Sequence, residues 1–336
     1  MAELMIYGAT GYTGSLISDQ ATQVGLDIVL AGRSESSLRA NATALDASYR
    51  VFDLEHPGLI DSGLNGIKVL LNCAGPFVRT AEPLIDACIR NGIHYLDASA
   101  ELISYEIAER KGNEAKDANV ILLPGCGGSV ALLGCLARRA LDTIGGHQLV
   151  ESMDLALHVA GPMSRGSAST AKASLVTGLL QRLDGRLVSQ KATCNVQFDF
   201  DDGRGSVDCF PVTMPDLITI HKFLGIQTLR TFAHASGSTF SSADPDALST
   251  GPTIEERDAN SYDAAVTVTT KEGSVRRFVL HSINGYSFTS MASVEAARRI
   301  LEYQYPSGFD MSPTLFGADF AESVLGTQAR DIVVLG

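Results

Sequence analysis

Leu4-Met5-Ile6-Tyr7-Gly8-Ala9-Thr10-Gly11-Tyr12-Thr13-Gly14 opens the chain and decides how the rest is read. The four apolar residues predict a buried strand. Three glycines spaced G-x-x-G-x-x-G follow, and apolar periodicity from Leu16 to Val24 predicts a helix. In such a strand–turn–helix the glycines allow a tight turn, close approach of backbone to a pyrophosphate, and packing of helix on strand. The helix N-terminus adds unpaired N–H groups and partial positive charge. Gly8, Thr10, Gly11, Tyr12, Thr13 and Gly14 are therefore the expected phosphate-binding residues of a dinucleotide site. A glycine turn used only for packing is the plainer alternative.

Asp27 to Ala31 reads as the second strand and ends in Gly32-Arg33-Ser34. A site for NAD(H) places an acid here, to accept hydrogen bonds from the ribose 2′-hydroxyl. Arg33 and Ser34 instead offer a forked cation and a hydroxyl, which suit a 2′-phosphate. The expected cofactor is NADP(H). Asp53, closing the third strand, and Ala74-Gly75-Pro76, after the fourth, complete the expected cofactor-binding set.

Strand and helix signals alternate to about residue 142. Strands are expected at 48–53, 67–72, 93–97 and 120–123, with helices at 35–45, 80–91, 102–118 and 130–141. Repeated units of this length imply an α/β fold with a doubly wound, Rossmann-type parallel sheet. Beyond it the pattern changes to a second, α+β domain on a mixed or antiparallel sheet. Its expected strands are 151–159, 193–200, 206–212, 227–234, 262–270 and 274–284. Its expected helices are 167–183, 216–224, 293–303 and 313–325, the last packing back on the first domain. Residues 236–257 read as a loop. The expected division is residues 1–128, with a C-terminal return over 306–336, for the NADP-binding domain, and 129–305 for a substrate and dimerisation domain.

The chain has 336 residues and a formal net charge of −12. That length accommodates two domains, and that charge repels nucleic acid and anionic membrane, so neither is expected as a partner. No apolar run reaches transmembrane length, and Met1-Ala2-Glu3 leads directly into the first strand without a signal peptide. Six cysteines without a C-x-x-C pair, and seven histidines without H-x-x-x-H spacing, predict reduced thiols, a cytoplasmic protein and no metal site.

Ligands of such a sheet bind beyond the carboxyl ends of its strands. The loops expected there are the glycine turn, Cys73 to Phe77, Asp97 to Glu101, and Pro124 to Ser129. The Tyr-x-x-x-Lys pair of short-chain dehydrogenases is absent: Tyr105, the best placed tyrosine, is followed four residues later by Glu109. The catalytic candidates are Glu101, Ser99, Cys126, Lys172 and Tyr286, with Asp97 and His221 behind them. Each has a plainer reading. Asp97 and Glu101 suit a helix N-terminus, Ser99 a helix cap, Cys126 an inert buried thiol, and Lys172 a solvated surface.

The glycine turn, Leu30-Ala31-Gly32-Arg33-Ser34, the Asn72-to-Phe77 loop and His94-Tyr95-Leu96-Asp97-Ala98-Ser99-Ala100-Glu101 together resemble the saccharopine dehydrogenase-like oxidoreductases, most of all the branch that includes trans-acting enoyl reductases. Pro124-Gly125-Cys126-Gly127 and Ser312-Pro313-Thr314-Leu315-Phe316-Gly317 fit the same pattern. The resemblance implies a Rossmann domain, NADP(H), a mixed-sheet second domain and a homodimer. Ser164 to Ser174 departs from it, where relatives carry a glycine- and threonine-rich turn. The expected activity is NADPH-dependent hydride transfer to a small substrate with a polarised C=N or C=C bond. The alternative is a redox sensor that binds NADP(H) without catalysis.

Overall fold

A computed structural model of the chain describes residues 3–174, 178–191, 194–237, 239 and 250–332. The first elements are β1 (Leu4–Tyr7), α1 (Tyr12–Gln23), β2 (Ile28–Gly32), α2 (Glu35–Leu45), β3 (Ser48–Val51), α3 (Pro57–Gly63), β4 (Val69–Asn72), α4 (Phe77–Asn91), β5 (His94–Asp97), α5 (Leu102–Asp117) and β6 (Ile121–Leu123). Every residue of β1, β2, β4 and β6 is buried, as strands covered on both faces require. The expected strands and helices are present, with α3 an addition that begins on Pro57, where a missing N–H costs nothing.

The chain continues through α6 (Ser129–Ile144), β7 (Val150–Ala160), α7 (Arg165–Ser174), β8 (Leu180–Leu183), β9 (Arg186–Ser189), β10 (Val196–Asp199), β11 (Ser206–Pro211), α8 (Asp216–Leu224), β12 (Leu229–Ser236), α9 (Ile254–Asp258), β13 (Tyr262–Thr270), β14 (Val275–Ser282), α10 (Gly285–Glu302), β15 (Gly308–Phe309), α11 (Ser312–Phe316) and β16 (Gln328–Ile332). Two expected helices are corrected. The one proposed over 167–183 is described as α7 up to Ser174, and Leu180–Leu183 is a strand paired with β9. The turn between them is Asp184-Gly185, both at positive φ (47° and 77°), a hairpin signal stronger than the apolar spacing that suggested a helix. The one proposed over 313–325 stops at Phe316, before Gly317 at φ 96°. It packs against α6, and β16 then joins β14. Most of the loop expected over 236–257 lies outside the described residues, and its described end forms α9.

Two compact units result: Met1–Gly128 with Thr289–Met311, and Ser129–Phe288 with Ser312–Gly336. The residues returning to the first unit are thus 289–311, earlier than the expected 306–336. The first unit holds a parallel sheet in the order β15-β6-β5-β4-β1-β2-β3. The order reverses between β1 and β4, which creates the crevice where such sheets bind ligands. The second unit holds a mixed sheet, β10-β11-β12-β7-β13-β14-β16, with the β8–β9 hairpin attached to β12. Only the β12–β7 pair in it is parallel among the described residues.

Candidate functional site

The glycine turn leaves β1 beside that crevice. Gly8 sits at φ 84°, and a Cβ there would lie 2.8 Å from the Ala74 nitrogen. A Cβ on Gly14 would lie 2.9 Å from the Gly8 carbonyl carbon and closer still to its oxygen. Both positions therefore exclude a side chain. The turn is held by the Gly8 N–H donating to the Ala31 carbonyl at 2.8 Å and the Gly11 N–H to the Gly8 carbonyl at 3.0 Å. Thr10 and Gly11 are exposed, and Tyr12 and Thr13 half-buried. No side chain caps α1 and no acid lies in its first turn. An uncapped helix end over a cradle with no room for a Cβ fits the pyrophosphate of a dinucleotide.

At the end of β2, Arg33 is exposed and pairs with no carboxylate among the described residues. Ser34 stands next to it, its Oγ 2.9 Å from Ser37 Oγ and 3.4 Å from Ser36 Oγ. The Tyr7 phenol senses both Arg33 and Asp53: burial pushes its pKa up to about 12, with Arg33 opposing and Asp53 adding. Asp53 Oδ1 accepts the Glu55 N–H at 3.0 Å. A cation, a hydroxyl cluster and the absence of an acid at this strand end fit a 2′-phosphate.

Beyond β4, β5 and β6 the loops are tied by one buried network. Asn72 Nδ2 donates to Thr80 Oγ1 at 3.1 Å and to Tyr95 Oη at 3.2 Å, and Asn72 Oδ1 accepts the Ala74 N–H at 3.0 Å. Tyr95 Oη donates to Asp97 Oδ2 at 2.9 Å. Asp97 Oδ1 accepts N–H groups from Ser99 at 2.9 Å and Gly125 at 2.8 Å. Burial pushes the Asp97 pKa up to about 6, although these donors oppose it. The carboxylate positions two loops. The polar residues that end the apolar strands β4 and β5, Asn72 and Asp97, were the sequence signal for this network.

The catalytic candidates are placed as follows. Ser99 is buried, and its Oγ accepts the Glu101 N–H at 2.9 Å. Glu101 is buried, with Oε2 accepting the Val78 N–H at 3.2 Å in the first turn of α4. Cys126 is fully buried, and burial pushes its thiol up to about 12. In the second unit Tyr286 Oη donates to Ser167 Oγ at 2.9 Å and accepts the Ser164 N–H at 2.7 Å, at the start of α7. Lys172 lies on α7, its side chain outside the described residues. His221 Nδ1 contacts the Ile226 carbonyl at 2.9 Å.

Two groupings and one lone carboxylate escaped sequence reading. Asp53, Glu55 and His56 converge closely enough to hold a cation, as do His158, Asp202 and Asp263. Neither follows a recognised ligand spacing, and the second is assembled from three separate segments. Asp216, on α8, is fully buried, and neither carboxylate oxygen has a hydrogen-bond partner among the described residues. Burial pushes its pKa up to about 7.

Residues 4–123 match the family model of the saccharopine dehydrogenase NADP binding domain. A trans-acting enoyl reductase of Mycobacterium ulcerans is 34% identical over 108 residues, 30% of this chain and 26% of that protein. The human saccharopine dehydrogenase-like oxidoreductase is 28% identical over 144 residues, 37% of this chain and 34% of that protein. The matched stretch thus spans about a quarter to a third of these relatives. Over nearly the whole chain the fold is that of apo saccharopine dehydrogenase (L-Glu forming) from Saccharomyces cerevisiae, at 12% identity, TM-score 0.65, and coverage of 98% and 99% of the two chains. The homospermidine synthase of Legionella pneumophila, solved in complex with NAD, is similar at 13% identity, TM-score 0.65, and coverage of 98% and 91%.

Proposed function

We propose that this chain is an NADPH-dependent oxidoreductase that reduces a small molecule at a polarised C=N or C=C bond. The observation that carries the reading is the pairing of a side-chain-free cradle at Gly8 and Gly14 with an exposed Arg33 at the end of β2 that has no carboxylate partner among the described residues. Gly8, Thr10, Gly11, Tyr12, Thr13 and Gly14 would hold the pyrophosphate. Arg33 and Ser34 would hold the 2′-phosphate, Asp53 would lie on the adenosine side, and Ala74, Gly75 and Pro76 would lie along the dinucleotide. When bound, the reduced nicotinamide supplies a hydride.

The imine version has specific support. Ser99, Glu101 and Cys126 are all buried, and a thiol near pKa 12 is a poor proton donor at neutral pH. A protonated iminium is already electrophilic and asks for no such donor, whereas an enoyl substrate does. The same observation supports the second reading, a sensor that binds NADP(H) without turnover. We further assign substrate binding and self-association as a homodimer to the second unit, and the cytoplasm as the compartment, consistent with six free cysteines. No described helix is long and apolar enough to cross a membrane.

The test is NADPH oxidation, followed by absorbance, against cyclic imines and enoyl thioesters. Turnover of imines alone supports the favoured version, and turnover of enoyl thioesters alone overturns it. Tight NADPH binding with no turnover on either class would replace the enzyme with the sensor.

A further inference from the structure

The second unit contains a row of polar residues that cofactor binding does not use. Strand register aligns His234 with His158, His158 with Asp263, Asp263 with His281, and His281 with Gln328. Directly paired residues share a sheet face, so five strands present one polar rung. The next rung on that face, Phe232, Ala156, Ala265 and Val279, is apolar and packs under Phe198 and Phe200. His158 and Asp263 are each only 3% exposed at the side chain. Buried polar residues at the centre of a sheet otherwise packed with apolar side chains need partners, and these have a particular set.

Asp263 Oδ2 lies 3.2 Å from His158 Nδ1, and its Oδ1 lies 3.2 Å from His281 Nδ1. Ser261 Oγ donates to Oδ2 at 2.8 Å. Burial alone would raise the pKa of Asp263, but these hydrogen bonds hold it below the ordinary value. An ionised carboxylate only accepts, so His158 donates from Nδ1 and keeps a lone pair on Nε2. Ser236 Oγ, at the end of β12, stands 2.8 Å from that Nε2 and donates to it. A hydroxyl, a base that can take its proton, and a buried acid that orients the base are within hydrogen-bond reach in series.

Two backbone amides adjoin Ser236 and could serve an attacked carbonyl. Gly237 follows Ser236 at φ 66°, and the Gly161 nitrogen lies 3.7 Å from the position of a Gly237 Cβ. Neither amide donates to a backbone carbonyl among the described residues. The N–H after a nucleophile is a common oxyanion donor. The Arg204 guanidinium reaches both ring nitrogens, Nη1 3.2 Å from Nε2 and Nη2 2.8 Å from Nδ1, and is ion-paired with Asp202. The two ring nitrogens point away from each other, so the cation lies against the ring face and leaves the in-plane Nδ1 hydrogen to Asp263 and the Nε2 lone pair to Ser236. Ser236 itself is only half-buried.

We propose that Ser236, His158 and Asp263 form a nucleophilic triad that hydrolyses carboxylic esters or thioesters, an activity independent of hydride transfer. Ser236 Oγ attacks the acyl carbon while its proton passes to His158 Nε2. The bond to the alcohol or thiol breaks, and that leaving group takes the proton from Nε2. Water then attacks the acyl-serine, giving a proton to Nε2. The acid departs and Ser236 recovers its hydrogen.

The full chain, shown to be folded by a cooperative thermal melt, is treated with a fluorophosphonate probe and assayed with p-nitrophenyl acetate. The expected result is a single label mapped by mass spectrometry to Ser236, with nitrophenol release that Ser236→Ala abolishes. Asp263→Asn is expected to lower kcat by about 100-fold or more with little change in KM. Unlabelled Ser236 in the folded wild-type chain would overturn the proposal. So would nitrophenol release that persists in a folded Ser236→Ala variant, and wild-type kcat in Asp263→Asn would remove Asp263 from the triad.

Discussion

Glu101 Oε2 accepts the backbone N–H of Val78 at 3.2 Å, across 23 residues of sequence. Pro76, the residue that caps α4, has no side-chain acceptor to offer, so a carboxylate from the loop after β5 serves the first turn of a helix that follows β4. Caps of this kind are worth about 1 kcal/mol. Glu101→Ala is expected to lower stability by about that much in chemical denaturation, while Glu101→Gln, which keeps an acceptor oxygen, loses less. If Glu101→Gln instead removes NADPH oxidation with stability unchanged, the carboxylate takes part in chemistry.

Arg33→Ala is expected to weaken NADPH binding by about 1–3 kcal/mol, the size of a charge-assisted contact, and to leave NADH binding nearly unchanged. Titration of both cofactors by fluorescence measures this. An equal loss for both would remove the assignment of Arg33 to the 2′-phosphate.

Gly14→Ala places a methyl group against the Gly8 carbonyl, which is backbone and has nowhere to go. The turn must open or the helix shift. Loss of measurable dinucleotide binding is expected, together with destabilisation of about 1–3 kcal/mol. Retained affinity, measured by calorimetry, would mean that the cradle does not touch the pyrophosphate.

Asp216 carries a pH dependence whose sign is set by its raised pKa, from 3.8 to about 7. The folded state holds the proton more tightly than the unfolded one. Its contribution is fully present below pH 3.8 and is lost as pH rises through about 7. Asp216→Asn removes the buried charge. The variant should match the wild type at pH 4 and exceed it by on the order of a few kcal/mol above pH 7. Thermal melts across that range measure the difference, and a constant offset would show that Asp216 has a partner in solution. Asp97, with its pKa raised to about 6, follows the same sign over a narrower window, so Asp97→Asn should flatten the loss between pH 4 and 6.

The glycine turn and its flanking strands were legible because their information is local. Gly8 to Gly14 must form a tight turn, and the apolar residues of β4 have few alternatives to a buried strand. Leu180–Leu183 misled because Leu180 and Leu183 stand three residues apart, a helical spacing that puts them on opposite faces of the strand they form, and Asp184-Gly185 was the arbiter. β15, two residues long, is below the length at which any periodicity exists. The roles of Glu101 and Tyr286 depend on partners 23 and 122 residues away. The polar rung at His158 depends on the register of five strands. Such relationships are properties of the assembled sheet and leave no mark on any one stretch of sequence.

The short pairing of Gly308 and Phe309 with Ile121 and Leu122 has a consequence for how the protein is made. Until β15 arrives, the backbone groups along that side of β6 have no strand to bond to, and α5 lacks the Phe309 that packs against Gly112, 3.2 Å from where a Cβ would stand. A ribosome delivers β15 only after Ser129–Phe288, the larger part of the second unit, has been synthesised. The nascent first unit therefore waits with an open, adhesive border. A fragment ending at residue 128 would keep that border permanently and self-associate, whereas joining 1–128 to 289–311 by a short linker would close it.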